Sequence, residues 1–100
     1  MIDLSDRYLS IVQGILNTHL PNVTVFAFGS RTKGKAKKFS DLDLMIRAKD
    51  KLNSVQLANA REALEDSDLP ITVDLIDWNT CNPNFQSIVG PQLVAFPLDR

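Results

Sequence analysis

Apolar positions return in this chain at two different periods, and the switches between them mark out its elements. From Leu4, the residues Tyr8, Ile11 and Ile15, with Leu9, Val12 and Leu16 beside them, recur every three to four positions. That spacing lines one side of a helix. Asp3 or Ser5 is placed to cap it, and Pro21 limits it, so it should end near His19. Gly14 falls inside this helix and is read as a point of close approach by another element. His19, the only histidine, reads as a surface residue placed favourably at the helix C-terminus rather than as a base. Val23 to Phe28 is a β-branched and aromatic run bounded by Pro21-Asn22 and Gly29, and predicts the first strand. Ser30 to Lys38 reads as a short helix and loop, broken at Gly34. In Asp41 to Arg47 the alternation has period two, with Leu42, Leu44 and Ile46 on one face of a second strand.

The helical period returns after a polar link. Asn53 or Ser54 can cap a helix whose apolar stripe includes Val55, Leu57, Ala58, Ala60 and Leu64, with Arg61 and Glu65 paired at i,i+4. Asp66, Ser67 and Asp68 close it, and Pro70 forces Leu69 into extended backbone. Ile71 to Ile76 predicts the third strand, with Ile71, Val73 and Leu75 on one face and Thr72, Asp74 and Ile76 on the other. Asn82-Pro83 opens a last short helix with Phe85, Ile88 and Val89 turned inward, and Gly90-Pro91 stops it. Trp78 and Phe85 read as core residues. Gln92 to Phe96 forms a final short strand or extended arm.

Composition narrows the class. One hundred residues, 44% hydrophobic and 23% charged, fit a single small α/β domain with no room for a separate substrate domain. No apolar run approaches a membrane span, and Asp3 and Asp6 give the start an acidic rather than a basic character, so the expected location is cytoplasmic with no membrane partner. Cys81 is the only cysteine, which excludes an intrachain disulfide and a thiolate zinc cluster. The net charge of −1 hides a strong local asymmetry. Arg31 to Lys38 holds five of the eleven Lys and Arg and none of the twelve Asp and Glu. Such a focus suits a triphosphate, whereas a nucleic-acid binder is normally basic along a whole face.

The chemistry gathers around that basic run. Gly29 allows the first strand to turn sharply, so that the backbone N–H groups which follow and the Ser30 hydroxyl form an anion site. Arg31 and Lys33, with the neighbouring lysines, add positive charge around that anion site. Asp41 and Asp43 project from one face of the second strand, about 7 Å apart along the backbone. Two acceptor-only carboxylates side by side repel unless a cation lies between them, and hard oxygen ligands suit Mg2+ or Mn2+. Asp74 lies in mid-strand, where a merely buried charge is costly, and is the natural third carboxylate. Asp77 is its rival, but has the opposite parity and sits past the apolar run, as a strand-ending or capping acid does. For the phosphate turn and the aspartate pair to meet, strands one and two must run antiparallel. A helix of about 14 residues then allows a parallel crossover to strand three. The sheet is mixed, with helices on one face and the carboxylates on the other.

A Gly-Ser turn, a lysine run or an Asp-x-Asp pair is common alone; here they come in order, strand before and strand after. Gly29-Ser30, ten intervening residues and Asp41-x-Asp43, with Asp74 following in Val73-Asp74-Leu75-Ile76-Asp77, resemble the signature of the polymerase-beta-type nucleotidyltransferases, in particular the minimal (MNT) nucleotidyltransferases. The resemblance implies the small polymerase-beta-like fold over nearly the whole chain. It also implies transfer of AMP from ATP with Mg2+ or Mn2+ at Asp41, Asp43 and Asp74, and nucleotide binding at Gly29, Ser30, Arg31 and Lys33. It is strongest to the MNT antitoxins of HEPN/MNT toxin–antitoxin pairs, which implies a HEPN-type helical toxin as partner and one of its tyrosines as acceptor. Two other readings stand beside it: a non-catalytic antitoxin that blocks its partner by occlusion, and a transferase acting on a small molecule or an RNA end.

Overall fold

The computed structural model describes residues 2–98. Helix α1 spans Asp6–His19; the Ser5 hydroxyl accepts from the Tyr8 N–H at 3.3 Å, and Asp6 adds a favourable charge in the first turn. Strand β1 (Thr24–Phe28) leads through Gly29 into a 3-10 turn at Ser30–Thr32, and a loop carries the chain to β2 (Leu42–Arg47). Helix α2 (Ser54–Glu65) is capped by Asn53, whose side chain accepts from the N–H groups of Val55 and Gln56. Strand β3 (Val73–Asp77) runs into a second 3-10 turn at Trp78–Thr80, then α3 (Pro83–Val89), and β4 (Val94–Ala95) ends the sheet.

The strand order is β3-β2-β1-β4, with β1 antiparallel to β2 and β4, and β2 parallel to β3. This is the mixed sheet required by a phosphate turn at the end of one strand and an aspartate pair at the start of the next. Residues facing each other across strands share a face, so the register Phe28–Asp43–Asp74 defines one side of the sheet and Ala27–Leu44–Leu75 the other. On the second side, Val12 and Leu16 of α1 and Ala60 and Leu64 of α2 close a core with Val25, Ala27, Leu42, Leu44, Ile46 and Leu75. Phe96 and Leu98 join that core. The arm that carries them is tied to α1 by bonds from the Gln13 side chain to the Pro97 carbonyl and from the Asn17 side chain to the Leu98 carbonyl.

The carboxylate face is not bare throughout. Met45 shares the parity of Asp43 yet is 0% exposed, and at that end of β2 the Arg47 guanidinium stacks 4.8 Å from the Trp78 ring centre. Three details differ from the sequence expectations. Gly14 has open space where a side chain would stand, so no element among the described residues approaches it. Of the α3 residues expected inward, only Val89 is buried; Phe85 is 37% and Ile88 60% exposed. The seven-residue helix is held along another line, by Gln86 donating to the Trp78 carbonyl. Arg61 donates to the Leu75 carbonyl at 2.7 Å instead of relying on Glu65.

Candidate active site

The site forms where the C-terminal end of β1 meets the N-terminal end of β2. Gly29 has φ +86° and ψ −158°, a conformation in which a side chain is strained, and a Cβ there would fall 2.6 Å from Asp43 Oδ2. The first favours glycine on its own, and the second places the turn's main chain close to the Asp43 carboxylate, which would have to shift for any side chain there. Within the turn, the Thr32 N–H and hydroxyl both bond the Gly29 carbonyl, and the N–H groups of Lys33 and Lys35 both donate to the Ser30 carbonyl at 3.2 Å. The N–H groups of Ser30 and Arg31 have no partner among the described residues. They are the donors, with the Ser30 hydroxyl, that an anion would meet.

Arg31 departs from its expected place as a nucleotide-binding cation. It is 7% exposed, and its guanidinium donates to the carbonyls of Asp3 (2.7 Å), Ser40 (3.0 Å), Lys38 (3.3 Å) and Lys37 (3.4 Å). With its donors committed to backbone oxygens, it ties the basic loop to the segment before α1 and is not free to follow a leaving group. Lys33, Lys35, Lys37 and Lys38 remain exposed, the last of them over the Phe39 ring at 5.3 Å. The cation field therefore belongs to the lysines, and Arg31 shapes the loop that carries them.

Asp43 and Asp74 are register partners on neighbouring parallel strands. Burial pushes the Asp43 carboxyl above the ordinary aspartate range, followed by the charge of Asp74, a hydrogen-bonding contact with Asp74, and the charge of Asp41. Phe28, directly across β1 from Asp43 on the same face, is one apolar neighbour of that carboxylate; no periodicity in the sequence singles it out. Asp41 is exposed, just before β2. The structure thus brings Asp43 and Asp74 together and leaves Asp41 at the rim. Among the described residues no three carboxylate, imidazole or thiol groups form a closed metal cage. The donor set nonetheless fits a hard cation: the acceptor-only oxygens of Asp74 and Asp41 raise the proton affinity of Asp43, and positive charge between them would relieve it.

Asp77 is placed otherwise. It is 3% exposed on the core side, and its carboxylate accepts from the Leu52 N–H (2.9 Å) and the Asn79 N–H (3.0 Å). It clasps the 3-10 turn and the entry to α2. Cys81 beside it donates to the Asp77 carbonyl, and burial, aided by the Asp77 charge, pushes its thiol up, which keeps it protonated.

A Gly-Ser turn against paired strand-borne aspartates, on a four-stranded mixed sheet, defines a class. The family model described as polymerase beta, nucleotidyltransferase matches residues 11–90, and the chain belongs to that family of nucleotidyltransferases. Among its relatives is MntA of Haemophilus influenzae, described as a probable protein adenylyltransferase; it is 47% identical over 88 residues, covering 88% of this chain and 77% of that one. Among solved structures, a toxin–antitoxin crystal structure with AMP-PNP has a TM-score of 0.73 at 23% identity, over 89% of this chain and 72% of the other. A tri-AMPylated Shewanella oneidensis HEPN toxin in complex with an MNT antitoxin gives 0.61 at 19% identity, over 89% and 71%. These structures share the fold. No helix among the described residues is long and apolar enough to cross a membrane.

Proposed function

We propose that this chain is a single minimal nucleotidyltransferase domain that moves AMP from ATP to a tyrosine of a HEPN-type helical toxin in the cytoplasm, and so acts as its antitoxin. The observation that carries the transferase chemistry is the contact of the Gly29 main chain with the Asp43 carboxylate, which in turn neighbours Asp74. An anion site and a carboxylate pair are thereby held side by side by rigid strands. The protein acceptor and the toxin rest on the MntA relative and on the toxin–antitoxin complexes that share this fold.

In this reading the Ser30 hydroxyl and the N–H groups of Ser30 and Arg31 hold the triphosphate, and Lys33 with the neighbouring lysines neutralises the departing charge. Asp41, Asp43 and Asp74 would hold Mg2+ or Mn2+, which supplies positive charge to the reacting phosphate and lowers the proton affinity of the acceptor oxygen. The tyrosine oxygen forms a bond to the α-phosphorus. The α–β bridging P–O bond breaks, pyrophosphate leaves with the electron pair, and the hydroxyl proton passes to the carboxylates on the Asp74 side.

Intact-mass spectrometry of a co-expressed HEPN partner tests this. With the wild-type chain the partner should gain AMP units, and with Asp41→Asn it should gain none. A partner left unmodified by both forms, yet neutralised by both, would replace the transferase reading with occlusion.

A further inference from the structure

Strand β3 is one edge of the sheet. The Leu42 N–H donates to the Thr72 carbonyl at 2.9 Å, which with the Asp43–Asp74 register fixes the alternation of the parallel ladder. Thr72, Asp74 and Ile76 turn their backbone groups toward β2; Val73 and Leu75 turn theirs to the open side. One outward group is covered, since the Arg61 guanidinium donates to the Leu75 carbonyl. The Val73 N–H and C=O and the Leu75 N–H have no partner among the described residues. A groove of about 640 Å³ runs along this edge, its walls including Arg61, Glu65, Leu69, Pro70, Val73 and Asp74.

Of the charged residues in this groove's walls, Glu65 and Asp74 are acidic and Arg61 basic, and further acids follow Glu65 in sequence. Glu62, Glu65, Asp66 and Asp68 are all exposed around the C-terminus of α2, and its last turn contains no cation. The helix dipole disfavours acids there, so Glu62 and Glu65 in the last turn, and Asp66 and Asp68 just past it, do not stabilise the helix end. Arg61, the nearest cation in sequence, is turned to the Leu75 carbonyl.

We propose that the β3 edge receives an extended, cationic segment of the protein partner as an added strand, and that this segment carries the tyrosine to be adenylylated. The proposal rests on the transferase reading above and deepens it. A row of backbone donors and acceptors is complementary to another polypeptide backbone, and Glu65 in the groove wall with the exposed acids that follow it in sequence selects a basic one. A residue of the added strand opposite Asp74 presents its side chain on the carboxylate face. It stands one strand spacing, about 4.8 Å, from Asp74 and two, about 10 Å, from Asp43. A serine or threonine hydroxyl stays over its own strand at that distance, whereas a tyrosine ring extends toward the pair.

The test uses the whole chain with Mg-ATP and the peptide acetyl-Lys-Thr-Lys-Tyr-Lys-Thr-Lys-amide, alongside two versions N-methylated at alternate residues. Residue-resolved hydrogen exchange should show the Val73 and Leu75 amides exchanging freely alone and protected about tenfold or more by the peptide. One N-methylated version should lose binding and AMP transfer and the other keep both, because only one parity bonds the edge. Glu65→Lys with Asp68→Lys should raise KM for the peptide about tenfold and leave ATP affinity unchanged. Failure of the peptide to protect these amides at millimolar concentration overturns the proposal, as does equal activity of both N-methylated versions. Protection that appears without peptide and grows with protein concentration assigns the edge to a second copy and overturns it too. Partner adenylylation with β3 unprotected leaves the transferase reading standing, whereas protection without any transfer keeps the docking mode and removes the acceptor role.

Discussion

Asp43 and Asp77 lie on neighbouring strands and point to opposite faces of the sheet, and their surroundings differ in kind. Asp77 is the more deeply buried, on the core side, and its carboxylate is met by two backbone N–H groups. Asp43 keeps partial access to solvent, but its neighbours are two further aspartates, Phe28 across the strand and the main chain at Gly29. The structural acid is compensated by the fold itself. The candidate active-site acid is left with like charges beside it and a raised proton affinity. Depth of burial alone would put Asp77 first; the charge of the neighbours puts Asp43 first, as the proposed function requires.

The largest effects come from exchanging charge for shape at each position. Asp43→Asn should lower AMP transfer by at least about 100-fold, close to 3 kcal/mol of activation energy, while the metal-free protein becomes no less stable, because a mutual repulsion has been removed. Asp77→Asn should do the opposite. An amide cannot accept from both the Leu52 and Asn79 N–H groups in the same way, so about 1–3 kcal/mol of stability is lost, with transfer by the folded fraction near normal. Urea denaturation and transfer rates on both variants check this. A dead Asp77→Asn that is fully folded, beside an active Asp43→Asn, would reverse the comparison.

Gly29→Ala sharpens it on the Asp43 side. The new methyl meets Asp43 Oδ2 at 2.6 Å in a backbone region that side chains rarely adopt. The strain costs about 1–3 kcal/mol, and the carboxylate must move away from the turn. Transfer should fall about 10-fold to 100-fold, as expected for a misplacement near 1 Å. Ser30→Ala, which moves no carboxylate, should chiefly weaken ATP binding. Equal effects of the two changes on ATP affinity and on the transfer step would show that Gly29 serves only the phosphate turn.

Much of this was legible from parity and punctuation. Alternation placed Asp74 opposite the apolar face and Asp77 with it, and the turn chemistry fixed strand directions before any register was known. What was not legible required knowing which backbone groups come near. Arg31 reads as one cation in a basic run, because nothing local shows that the carbonyls of Asp3 and Ser40 converge on it. Gly14 reads like a contact glycine, yet only tertiary structure shows that no described residue lies where its side chain would stand. Phe85 and Ile88 fit an inward stripe, but a helix of seven residues has too little pattern to fix its own rotation. The groove on β3 has no sequence motif at all; it follows from β3 being an edge.

The smallest expected effect is also the most direct measure of the uncompensated site: the pH dependence of stability without divalent cations. The folded state raises the pKa of Asp43, so between its ordinary value and the raised one the native chain binds more protons than the unfolded chain. Stability contributed by this group is therefore highest at the acid end of that window and declines as pH rises through it, the reverse of an aspartate held in an ion pair. In chelator, the difference in unfolding free energy between wild type and Asp43→Asn should turn progressively against wild type as pH climbs from the ordinary aspartate range toward neutrality. Added Mg2+ should remove the deficit in wild type and leave Asp43→Asn largely unmoved, since binding to the native state offsets the repulsion. A wild-type curve parallel to that of Asp43→Asn at every pH would mean that Asp43 is as well compensated as Asp77, and the contrast between the two would be lost.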